Sequence, residues 1–124
     1  MHFRSFSFIN RDRCESENGF NHSINSWSLS DWLTALMGEL GEAANIAKKL
    51  NRVRDGIPGN GDLTEAELRQ MLKDELADVD IYLDLVYQSE GIDREGAIIS
   101  KFNKTSRKIG FPLTLIEQSD GGGE

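Results

Sequence analysis

Thr64-Glu65-Ala66-Glu67-Leu68-Arg69-Gln70-Met71-Leu72-Lys73-Asp74-Glu75-Leu76-Ala77-Asp78-Val79-Asp80-Ile81-Tyr82-Leu83-Asp84-Leu85-Val86 is the stretch whose reading decides the fold. Its apolar residues return every three or four positions, the period of an α-helix and not of a strand. Thr64 and Glu67 have capping-box spacing, in which each side chain satisfies a free backbone N–H of the first turn. The pattern predicts a helix running to about Glu90 and ending at Gly91, a residue suited to a left-handed cap. Upstream, Leu29, Leu33, Leu36, Leu40, Ala44, Ala47 and Leu50 repeat the same period. They predict a helix from Ser28 or Ser30 to about Arg54, before the loop Asp55-Gly56-Ile57-Pro58-Gly59-Asn60-Gly61. Downstream, Asp93 is placed to cap a further helix reaching Ile109 and stopping at Gly110, and a shorter helix is predicted over Arg4 to Glu17. No run alternates as a strand would. The expected fold is all-α, a bundle of about four helices.

The 124 residues suffice for one domain, and net charge is minus seven. An acidic balance argues against a nucleic-acid-binding surface. No apolar run approaches the roughly 20 residues of a membrane span, and Met1 to Arg13 lacks a signal-peptide core. The single cysteine, Cys14, has no partner for an internal disulfide. These features predict a soluble, cytoplasmic protein that binds neither nucleic acid nor membrane.

The charge is segregated. From Asp62 to Glu95 eleven acids face three bases, whereas Gly96 to Pro112 carries Lys101, Lys104, Arg107 and Lys108 with no acid. A solvated acidic face is the plain reading of the first stretch, and helical phase argues against it. At about 100° per residue, Glu75 falls within about 40° of the apolar stripe set by Leu68, Leu72, Val79 and Val86. Asp78 lies beside Met71 and Tyr82, while Asp80 and Asp84 fall on the polar flank. On the preceding helix Glu39 lies between Ala43 and Ile46 at the stripe edge, with Glu42 one turn on. Each helix therefore offers an i, i+3 carboxylate pair, Glu39/Glu42 and Glu75/Asp78.

Carboxylates withdrawn from water need compensation. Buried ion pairs are one form of it, although these helices offer few inward-facing bases. A di-iron site is a second, but it takes Glu-x-x-His on two helices, and neither His2 nor His22 lies in such a motif. A hard cation is the third: all-oxygen ligation suits Mg²⁺ or Mn²⁺, and Mg²⁺ commonly bridges carboxylates to substrate phosphates. Lys101, Lys104 and Lys108 share one helical face, either a solvated stripe or a clamp for a polyphosphate, and Lys48 and Lys49 lie two turns beyond Glu42.

Gly38-Glu39-Leu40-Gly41-Glu42, then Asp74-Glu75-Leu76-Ala77-Asp78-Val79 with Ile81-Tyr82-Leu83, resembles the MazG-like all-α nucleoside triphosphate pyrophosphohydrolases. Their signature is Glu-x-x-Glu on one helix and Glu-x-x-Asp on the next. Lys101-Phe102-Asn103, Ser106 and Gly110-Phe111-Pro112 resemble the segment that follows it. The likeness runs from about Trp27 to Pro112. It implies a catalytic bundle over residues 27–112, preceded by an N-terminal segment over 1–26 and followed by a flexible tail over 113–124. It further implies Mg²⁺-dependent hydrolysis of nucleoside triphosphates, often deoxynucleotides, to monophosphate and pyrophosphate. Assembly as a homodimer or homotetramer, with sites built partly at subunit interfaces, comes with it. Carried onto these residues, Glu39, Glu42, Glu75 and Asp78 are metal ligands, with Glu39 or Glu42 holding or deprotonating the attacking water. Lys101, Lys104 and Lys108 hold phosphates, and Tyr82 and Asn103 lie near the sugar or base. Two features depart from the pattern. The spacer from Ala43 to Asp74 is long, at 32 residues, and nothing before Trp27 has a counterpart. Phe20, Trp27 and Trp32 are candidates either to cover a nucleobase or to fill the core. The alternative to an enzyme is a non-catalytic nucleotide-binding or partner-binding helical module.

Overall fold

The computed structural model describes residues 1–117; Gln118 to Glu124, most of the stretch expected to be a flexible tail, lie outside the described residues. The protein is all-α. Four α-helices, α1 (Phe3–Glu15), α2 (Leu29–Asp55), α3 (Glu65–Ser89) and α4 (Arg94–Ile109), follow one another with a single 3₁₀ turn at Ile24–Ser26, and no strand occurs among the described residues. No helix is long and apolar enough to cross a membrane among the described residues.

Local chemistry sets the helix ends. Ser28 caps α2 with a complete capping box: its Oγ accepts the Asp31 N–H (3.2 Å), and Asp31 Oδ2 accepts the Ser28 N–H (3.0 Å). Thr64 Oγ1 accepts the Glu67 N–H at 3.1 Å, half of the reciprocal pair expected there. Asp93 stands at the N-cap of α4, but its side chain makes no cap hydrogen bond. At the other end of α2, Gly56 sits at φ 67°, and Ile57 N–H reaches back to the Arg52 carbonyl at 2.9 Å. A side chain at that φ would be strained, which is why glycine stops the helix there. α4 ends the same way at Gly110, with Phe111 N–H donating to the Ser106 carbonyl at 2.8 Å.

The chain forms two compact units. One comprises residues 25–86, essentially α2 and α3. Its core holds Trp32, Ala43 and Ile46 of α2 with Leu68, Leu85 and Val86 of α3, and Trp27 packs edge-on against Trp32 at 4.7 Å between ring centroids. The loop after α2 is tied back by Asn60 Nδ2, which donates to the Lys49 carbonyl at 2.9 Å, and by Arg52 Nη1 to the Pro58 carbonyl.

Two expectations are corrected in this unit. The buried side of α2 is the Trp32, Ala43 and Ile46 side; Leu29, Leu33 and Leu40 are exposed. The helix has two apolar faces, and periodicity alone does not say which one meets α3. Asp84, expected on a solvated flank, is 1% exposed. One helix's phase predicts what faces its own stripe and is silent about what the rest of the chain lays over its other side.

The second unit comprises residues 1–24 with the chain from Tyr87 onward. Asn10, Cys14, Ile24 and Ser106 are buried in it. Glu15 organises the turn after α1, accepting the Ile24 N–H (2.9 Å) and Arg11 Nε (3.0 Å), and both hold its carboxyl below the usual range. Burial pushes the Cys14 thiol up, away from reactive thiolate character, and its Sγ–H donates to the His22 carbonyl. The Arg94 guanidinium stacks between the Phe3 and Tyr87 rings, at 4.7 and 5.6 Å from their centroids.

Candidate metal centre

Both carboxylate pairs lie in the unit formed by residues 25–86. On α2, Glu39 sits one turn from the buried Ala43 and two turns from the buried Ile46 and Trp32, so the helix aims it into the core-facing arc. On α3, Glu75 and Asp78 lie half-buried among Met71, Leu72 and Val79, themselves half-buried. The two helices bring these side chains together. Glu39, Glu75 and Asp78 each present a carboxylate oxygen, and those atoms all lie within 4.8 Å of one another. Glu42 is exposed, and its carboxyl lies within hydrogen-bonding reach of both Glu39 and Glu75. All four acids singled out in the sequence therefore meet at one place.

Nothing in the chain compensates them. Glu39 Oε2 and Glu75 Oε2 are buried without a hydrogen-bond partner, and no ion pair reaches any of the four among the described residues. Ion pairing, the plain expectation for buried acids, is not what the structure contains here. The electrostatic result is proton affinity. Burial, followed by the charges of Glu42 and Asp78, raises the Glu39 pKa above its ordinary 4.5. Glu75 is raised first by sharing a hydrogen bond with Glu42, then by burial and the charges of Glu42, Glu39 and Asp78.

A raised pKa in the folded state has a definite consequence for stability. The protonated forms are favoured by folding, so what Glu39 and Glu75 contribute is fully present below their unfolded pKa and is lost as pH rises through their folded values. Glu15, Asp31 and Asp55 are shifted the other way, and their contributions fade only below the ordinary carboxylate range. In a chelator, the melting temperature is therefore expected to fall between about pH 5 and pH 8. A flat or rising melting curve over that window contradicts the geometry.

The remaining residues singled out in the sequence are placed as follows. Tyr82 is half-buried on α3, one turn beyond Asp78. Lys48 is exposed on α2, and Lys49 is half-buried beside the Asn60 contact. Lys101, Lys104 and Lys108 are exposed along α4, in the other unit. Lys101 also borders an open apolar groove of about 780 Å³ lined by Tyr87, Ile98, Phe102, Ile109 and Phe111. Asn103 uses its side-chain amide in both directions on the backbone of Leu115, donating to the carbonyl (2.9 Å) and accepting from the N–H (2.8 Å). Of the three aromatic candidates, Trp32 is core, Trp27 covers it, and Phe20 is exposed beneath the Arg13 guanidinium. The structure brings no further carboxylate, histidine or cysteine into the cluster among the described residues.

Family models, curated proteins and solved structures were compared with the chain, and none matches it.

Proposed function

We propose that the chain is a Mg²⁺-dependent nucleoside triphosphate pyrophosphohydrolase, acting on deoxynucleoside or modified nucleoside triphosphates. One observation carries this reading: four carboxylates from two i, i+3 pairs converge with two buried oxygens left without a partner. Such a donor set fits a hard divalent cation. It is all oxygen, lacks histidine and cysteine, and carries more negative charge than the helices balance. Glu39, Glu42, Glu75 and Asp78 are the residues to hold Mg²⁺, with Mn²⁺ as a substitute. When bound, the cation neutralises charge on the triphosphate and acidifies water.

The chain's own groups do the rest. Glu42 is the exposed member of the four and Glu39 the member with a buried oxygen. Between them they orient a water and accept its proton while the others fix the cation's position. The reaction breaks the bond between the α- and β-phosphates, adds the water oxygen to the α-phosphorus and releases pyrophosphate. Lys101, Lys104 and Lys108 supply ammonium groups for the departing phosphates, with Lys48 as a further cation on the helix that carries Glu42. Tyr82 is placed on the sugar or base. Asn103 is placed there too, and any such contact means exchanging its bonds to Leu115. The resemblance to the MazG-like enzymes adds assembly as a homodimer or homotetramer in the cytoplasm.

Incubation with a panel of standard and modified deoxynucleoside triphosphates and Mg²⁺ tests the reading. Pyrophosphate and a monophosphate are the expected products. Orthophosphate release contradicts it, and nucleotide binding without turnover identifies the non-catalytic helical module instead.

A further inference from the structure

α2 has a second apolar face. From Leu29 to Ala47 its exposed side carries Leu29, Leu33, Met37, Leu40, Ala44 and Ala47, and the four large residues keep 44%, 42%, 62% and 44% of their surface exposed. The charged residues of this span are Asp31, Glu39 and Glu42, and at 100° per residue none falls on that strip. The strip is about 27 Å long and about 10 Å wide, at the upper end of what a monomer leaves in water. A long helix that is apolar on two sides has two protein neighbours. α3 is one of them.

We infer that the other is α2 of a second copy, packed antiparallel across a twofold axis beside Glu42. Leu33, Met37, Leu40, Ala44 and Ala47 are spaced four, three, four and three apart, the seam along which two helices mesh. The seam is large at one end and small at the other. An antiparallel copy sets Leu40 opposite Ala44 and Met37 opposite Ala47 across the axis, so each bulky side chain meets a small one, as an isologous contact requires. Gly41 flanks the seam, and a Cβ added there meets nothing within 4 Å. Glycine inside a helix costs about 1 kcal/mol relative to alanine, and nothing within the chain uses the room it leaves. Charge favours a second copy over a foreign partner. In a chain of net charge minus seven, self-association needs a contact free of charge, which this strip is. The inference stands on the surface of α2 and does not depend on how the acidic cluster functions.

Thiol cross-linking of the full chain tests it. In a Cys14→Ser background, Gly41→Cys and Leu29→Cys are treated with a short bifunctional thiol reagent. About the proposed axis the two copies of position 41 are offset by about 3 Å along the helices and those of position 29 by about 39 Å. Cross-linked dimer is expected from Gly41→Cys and not from Leu29→Cys. Cross-linking at both, at neither, or at Leu29 alone overturns the proposal. Sedimentation of the unaltered chain is expected to show a dimer or a multiple of it, and a monomer throughout overturns the proposal. Leu40→Asp is expected to weaken association at least tenfold with unchanged far-UV circular dichroism; unchanged association overturns the proposed face. Because no readout is catalytic, failure here is separable from failure of the pyrophosphohydrolase reading.

Discussion

Glu39→Gln is expected to lower pyrophosphate release by roughly 10²–10⁴-fold, the range spanned by loss of a positioned acid–base group. Glutamine keeps the shape and one hydrogen-bonding oxygen of the side chain, but it removes a negative ligand from a cluster whose purpose is charge. Glu39 is the sensitive position because one of its oxygens is buried with no protein partner, so no other group in the chain replaces it. Glu42→Gln is expected to fall in the same range, since Glu42 is the exposed member within reach of both Glu39 and Glu75. Steady-state kinetics with Mg²⁺ varied separate the two roles. A variant that loses a ligand needs more metal for half-maximal rate, whereas one that loses only proton acceptance shows a lower rate at an unchanged metal requirement. Activity within a few-fold of the parent for both variants sinks the assignment.

Glu75→Leu is expected to do the reverse to stability. Without metal, Glu75 sits against three other carboxyls, its Oε2 is buried and unpartnered, and the surrounding residues of α3 are apolar. A leucine there removes like-charge repulsion and joins Met71, Leu72 and Val79. Replacing an uncompensated charge by a packed apolar side chain is commonly stabilising. The melting temperature in chelator is expected to rise by roughly 5–10 °C, and the rise that Mg²⁺ gives the parent by binding the folded state is expected to vanish. Differential scanning calorimetry with and without Mg²⁺ reads both effects. If the substitution lowers the metal-free melting temperature, Glu75 serves the fold as a structural polar contact and not as an unbalanced ligand.

The contrast between what could be read early and what could not follows the range of the interactions. Ser28, Gly56 and Gly110 set helix ends through contacts within a few residues, so the sequence carries them openly. The convergence of Glu39, Glu42, Glu75 and Asp78 was legible for a similar reason. An i, i+3 pair on an apolar arc needs only the helical period to be noticed, and two such pairs on consecutive helices are natural neighbours. The face of α2 that enters the core was not legible. Leu29, Leu33 and Leu40 are as apolar as Trp32, Ala43 and Ile46, and the choice between the two sides depends on which one α3 covers. Asp84 shows the same limit, because its burial comes from segments that its own helix does not encode. The Asn103 contact with Leu115 joins residues in different elements and leaves no periodic trace.

The central claim is that this carboxylate cluster directs water to the α-phosphorus of a nucleoside triphosphate. Turnover with Mg²⁺ in ¹⁸O-labelled water tests it most directly, with the products resolved by mass spectrometry. The account predicts one labelled oxygen in the nucleoside monophosphate and none in the pyrophosphate. Label in the pyrophosphate, label in orthophosphate, or no turnover of any triphosphate in the panel contradicts it.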